Sequence, residues 1–271
     1  MLYRTWLVVA FSFSGFMACC QAGDFAPFAG TQPVAVLVQE NPWADVMGAE
    51  TPRIAVYENG DVIYSRQAPG QKQEVYFYAK LDFSALSDLE DRLRPVVAMP
   101  GLKLSYSLTG ATDQASALLY LRVDQQEIVT SVYGLNAENA GRATPEPGGD
   151  PLPAQLRQLY QYLFAVDFTE SRSWHPAYVE TMIWPYEDAP AECLHWPATW
   201  PGLNSDRVLK RAQGWSIFLD GSRQEDLKKF LDGAPEGGAV EIGGKKWSVA
   251  WRPAFPSEPV WRKAFSSLTD H

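Results

Sequence analysis

The sequence predicts an α+β protein built from mostly antiparallel sheets with a few packed helices, in one or two subdomains. Three observations predict it: many short β-rich runs bounded by turn residues, hairpin signals at Asn59-Gly60 and Gly243-Gly244, and few stretches of helical period. Between neighbouring β-rich runs the connections are too short for repeated parallel crossovers.

Residues 1–22 read as a signal peptide for export. Arg4 supplies the positive start and the uncharged run 6–17 the apolar region, which is shorter than the ~20 residues of a membrane span. Its end has two readings. Phe16-Met17-Ala18-Cys19 resembles the lipobox of bacterial lipoproteins, which implies a signal of residues 1–18 and a lipid anchor on Cys19. Ordinary cleavage after Ala22 would instead use the small residues Cys20 and Ala22. Residues 23–32 have the composition of a tether.

An N-terminal antiparallel α+β region is expected over 33–139. Val34-Ala35-Val36-Leu37-Val38 reads as a buried strand. The runs 54–58 and 61–64 flank Asn59-Gly60, predicting a hairpin with a type I′ turn, and 74–80 gives the next strand. A helix follows over 84–94, capped by Ser84 and stopped by Pro95, with Leu86, Leu89 and Leu93 on one face. Further strands are expected at 103–108, 117–123 and 127–133, the last two joined by the polar turn Asp124-Gln125-Gln126.

Residues 140–151 are rich in Pro and Gly and read as a loop or linker. Beyond it lies a Trp-rich α+β region, 152–271. Leu152, Leu156, Leu159, Tyr160 and Leu163 form a helical stripe that either docks back on the first sheet or belongs to a second unit. Strands are expected at 178–184 and 214–219, and 185–201 is irregular and proline-rich. Ser222-Arg223-Gln224-Glu225 reads as a capping box opening a helix that stops at Gly233. The glycine pair at 243–244 turns a second hairpin.

Composition narrows the function classes. The chain has 23 basic and 32 acidic residues, a formal charge of −9. Removing residues 1–22 takes away only Arg4, leaving 22 against 32, or −10. So acidic a chain has no general attraction for nucleic acid. Cys19, Cys20 and Cys193 are the only cysteines, too few for a disulfide framework. There is no Gly-rich phosphate loop, His-Glu-x-x-His, Cys-x-x-Cys or Gly-x-Ser-x-Gly, so no cofactor or metal is expected and catalysis is less favoured than binding.

Two groups of side chains carry candidate chemistry. On an extended segment Cys193 and His195 face the same side, where an imidazole activates a thiol, and His175 would join them if the fold brought it near. The alternative is an ordinary packed cysteine and a surface histidine. Eight of the ten tryptophans fall from Trp174 onward. Trp196-Pro197-Ala198-Thr199-Trp200-Pro201 holds two of them in a proline-stiffened loop, suited either to gripping a partner or to capping the core.

The segment 242–252, with Phe255-Pro256-Ser257-Glu258 and Trp261 after it, resembles a C-terminal stretch of uncharacterised exported bacterial proteins. The resemblance implies bacterial origin and export and carries over no activity. The expected role is an exported periplasmic or lipid-anchored cell-envelope binding protein, with an unknown envelope protein or glycan as partner and Trp196 and Trp200 at the contact. The alternatives are an enzyme using Cys193 and His195, and an inhibitor or immunity-type protein acting through an acidic surface.

Overall fold

The computed structural model describes residues 25–42, 49–67, 74–136, 149–189, 192–211, 214–235 and 238–268. The signal segment with Cys19, and most of the 140–151 linker, lie outside the described residues. The fold is α+β, with two mostly antiparallel sheets and four helices among the described residues.

The first sheet contains β1 (Pro33–Glu40), β2 (Pro52–Tyr57), β3 (Asp61–Gln67), β4 (Glu74–Lys80), β5 (Ser105–Ser107), β6 (Ser116–Val123), β7 (Gln126–Tyr133) and β8 (Arg172–Ser173). Their order is β5-β7-β6-β1-β2-β3-β4-β8, and only β5 and β7 run parallel. One face takes helices α1 (Phe83–Val97) and α2 (Ala154–Ala165) through Leu89, Leu93, Leu156 and Tyr160. The helical stripe beyond the linker thus docks on the first sheet.

The second sheet contains β9 (Tyr178–Pro185), β10 (Leu194–His195), β11 (Val208–Arg211), β12 (Gly214–Asp220), β13 (Val240–Ile242) and β14 (Lys245–Pro253). Its order is β10-β13-β14-β9-β12-β11, with only β10 and β13 parallel. Helix α3 (Gln224–Asp232) packs Leu227, Phe230 and Leu231 on one face. Helix α4 (Glu258–Ser266) follows β14 but returns to the other face of the first sheet, where Trp261 and Phe265 meet Val36, Val38, Ala55 and Tyr57. Burial on both faces explains why β1 is a continuous apolar run rather than an alternating one.

Several local expectations are corrected. The Asn59-Gly60 hairpin forms, but its turn is not type I′: of the two residues only Gly60 has positive φ, at 83°, and Gly60 N–H donates to the Tyr57 carbonyl at 2.8 Å. That is a three-residue loop ending in a left-handed glycine. The type I′ geometry occurs at Asp124-Gln125, with φ of 51° and 64°, and at Gly243-Gly244, with 62° and 74°. Helix α1 is capped by Asp82, whose carboxylate accepts Ala85 N–H at 2.8 Å, two residues earlier than the Ser84 cap expected. Pro95 does not stop it, because buried Leu93 and Val96 hold the last turn in place. Ser222 forms no capping box; Gly221–Arg223 is a 3-10 turn running directly into α3. The strand expected at 103–108 shrinks to β5.

A chain of buried charges joins the two sheets. Glu180 on β9, wholly buried, accepts Ser216 Oγ at 2.5 Å, the Arg211 guanidinium, and Arg252 Nη2 at 2.5 Å. Arg252, on β14 and 3% exposed, also pairs with Glu258 at the start of α4. One helical turn on, Arg262 pairs with Glu258 and donates to the Glu50 carbonyl at 2.8 Å. Burial alone raises a carboxyl pKa, yet Arg252 and Arg262 outweigh it at Glu258 and hold its pKa below the usual 4.5.

Two predictions follow from this packing. Gly60→Ala places a methyl 2.5 Å from the Leu81 carbonyl oxygen at a positive φ, so urea unfolding should show a loss of about 1–3 kcal/mol. Glu258→Gln leaves Arg252 and Arg262 short of counter-charge and should cost about 3–5 kcal/mol at neutral pH. The stability that Glu258 contributes is complete above pH 4.5 and is lost as pH falls through its lowered pKa. Urea midpoints measured across that acid range should therefore fall more steeply in the wild type than in the variant.

Candidate functional site

Where the sheets meet, a cleft of about 450 Å³ opens between the end of β1, the entry to β2, strands β4 and β14, and helix α3. Its volume is in the range of small-molecule sites. Glu74 and Tyr76 come from β4, Thr51 from the segment entering β2, Trp251 and Arg252 from β14, and Lys228 from α3. Rigid elements therefore hold most of the lining.

The lining is fixed by its own contacts. Tyr76 Oη and Thr51 Oγ1 share a hydrogen bond at 2.6 Å, and the Tyr76 ring packs edge-on against Phe255 and Trp174. Gln39 at the cleft wall donates to the Leu135 carbonyl and accepts from Tyr160 Oη, both at 2.9 Å. Lys228 Nζ lies 5.5 Å from the Trp251 ring centroid, a cation–π contact. Arg252 places Nη2 between Glu180 and Glu258, while its buried Nε and Nη1 make no hydrogen bond among the described residues.

Opposite charges thus share one cleft. Glu74 is exposed as a residue, but desolvation of its carboxyl is the largest influence on it and raises its pKa, against hydrogen bonding and the charge of Arg53. The Tyr76 phenol is raised as well, first by burial and then by Glu74. The arrangement can bind a polar group and hold it against two aromatic rings.

The residues singled out from sequence lie elsewhere. Cys193 is a half-buried free thiol just before β10, and His195 on that strand is 81% exposed, with Nδ1 3.8 Å from Glu241 Oε2. His195 is level with Glu241, Glu241 with Lys246, and Tyr186 N–H bonds the Lys246 carbonyl, so His195 sits at the far end of β9. His175 precedes the near end of that strand and lies beside Tyr78, Arg172 and Trp174. With a rise of ~3.3 Å per residue along β9, the two histidines are more than about 25 Å apart. The fold does not bring His175 to Cys193 and His195.

Trp196 and Trp200 are half-buried and meet edge to face, centroids 4.9 Å apart, and both rest on Phe230 of α3 at 5.8 and 5.5 Å. Trp196 Nε1 donates to the Pro201 carbonyl at 3.0 Å. The loop is folded onto the second core, and the outer edges of its indoles border a shallow concavity with Leu203 and Gly243. Sequence reasoning missed the inter-sheet cleft because its lining comes from segments up to about two hundred residues apart, with no local motif. The one local signal was Arg252, a charge directly after Trp251 near the buried end of β14.

Given this packing, Trp200→Ala should lower stability by about 2 kcal/mol through lost aromatic contact, measured as a shift of the urea midpoint. Compared with protein-family models, curated proteins and solved structures, the chain matches none.

Proposed function

We propose that this protein is an exported cell-envelope binding protein, and that its ligand site is the cleft between the two sheets. The observation that carries the reading is the convergence of Arg252, Lys228, Glu74, Tyr76 and Trp251 on one cleft whose walls are strands and a helix. A concave site with two aromatic rings and a few convergent charged groups is the usual form of a small-molecule site. Export is supported by the pattern of residues 1–22, and a binding role by the absence of the common catalytic motifs.

The reading moves the binding surface from Trp196 and Trp200, whose rings are engaged with Phe230, to the cleft. Native mass spectrometry of the chain recovered from a bacterial envelope tests it. The wild type should carry a small-molecule mass that a Lys228→Ala/Trp251→Ala variant of unchanged fold, checked by circular dichroism, has lost. A wild type that carries nothing, or a variant that carries the same mass, overturns the proposal.

A further inference from the structure

The charged residues that line the inter-sheet cleft are Glu50, Glu74, Lys228 and Arg252, and each has a counter-charge within the protein. Arg252 is closed off by burial and paired with Glu180 and Glu258. Lys228 Nζ bonds the Glu225 carboxylate at 2.9 Å. Arg53 acts on Glu74 and favours its ionised form. Arg262 lies beside Glu50 and donates to its backbone carbonyl at 2.8 Å. A ligand with a net charge of either sign therefore meets no unmatched partner, and loses its hydration without a compensating ion pair.

The same lining is too polar for an apolar molecule. Helix α3 presents Gln224 and Lys228 four residues apart on one face, and β4 presents Glu74 and Tyr76 two apart on one face. The bond to Glu225 leaves Lys228 two of its three N–H donors, the Glu50 and Glu74 carboxylates accept only, and the Gln224 amide does both. Hydrocarbon laid over these groups would strip them of water with nothing in return. A hydroxyl both donates and accepts, so a molecule carrying several serves carboxylate, ammonium and amide alike without a charge of its own. Tyr76 and Trp251 add ring surface for the carbon-bound hydrogens of such a molecule. Resting on the reading of the cleft as the ligand site, we propose that its ligand is a neutral sugar, with hydroxyls held by Glu50, Glu74, Gln224 and Lys228 and its C–H side against Tyr76 and Trp251.

Saturation-transfer NMR and calorimetry of the full chain with glucose, galactose, mannose and N-acetylglucosamine, alone and as disaccharides, test this. At least one should bind, with saturation passing from the protein's aromatic protons to the sugar's ring protons. The best binder is then repeated as its uronic acid and as its amino sugar, and neither charged form should bind more tightly. Gln224→Ala should weaken the neutral sugar roughly three- to tenfold, the worth of one hydrogen bond, while the urea midpoint stays unchanged. No binding by any neutral sugar up to about 10 mM, a charged form that binds about tenfold more tightly, or a Gln224→Ala variant of unchanged affinity overturns the inference. If the native mass is a molecule other than a sugar, lost with Lys228→Ala/Trp251→Ala, the inference fails while the cleft stands as the ligand site.

Discussion

Arg252 is shared by two buried carboxylates, Glu180 on the second sheet and Glu258 on the helix that covers the first. Apolar contacts alone would bury α4 without fixing its rotation, because burial has no direction. The ion pairs supply one. If α4 turned about its axis, Glu258 would leave both Arg252 and Arg262, and a buried charge would stand unmatched at a cost of several kcal/mol. The strand register that sets Arg252 opposite Glu180 is held by the same demand.

The cleft is a by-product of that junction. Both sheets bury their faces under helices, yet where β14 leaves the second sheet and the chain turns into α4, polar side chains come together with room between them. Glu180 and Glu258 both pair with Arg252 Nη2, so a residue in the lining of the cleft is anchored to the second sheet and to α4 at once.

Much of the fold was legible from local pattern. The runs of β1, β4, β9 and β12 and both hairpins are set by continuous apolar stretches, as in β1, by alternation, as in β4, and by turn residues, all of which act over a few positions. Errors came where neighbours competed: Asp82 outbid Ser84 for the cap, and the strand twist at Tyr57 was met by a bulge rather than by Asn59 at positive φ. Strand β8, two residues long, and strand β10, equally short, carry no pattern of their own and exist only because an edge was available. Helix α4 is short and begins with Glu258-Pro259, and its apolar side, Trp261 and Phe265, is one turn deep. The site was least legible, since the pairing of Glu74 with Trp251 and Arg252 depends on tertiary placement alone.

The route of α4 bears on the order of events in folding. Ser257 Oγ bonds the Gly30 carbonyl across 227 positions and Tyr57 Oη the Pro256 carbonyl across 199. Contacts so distant in sequence carry a high loop-closure entropy. Until α4 arrives, Val36, Val38 and Ala55 line an uncovered apolar face. That face closes only with residues from the end of the chain, Phe255, Trp261 and Phe265, whereas the buried residues of the core beneath α1 and α2 all lie between Val34 and Leu163, so one sheet has an early face and a late one.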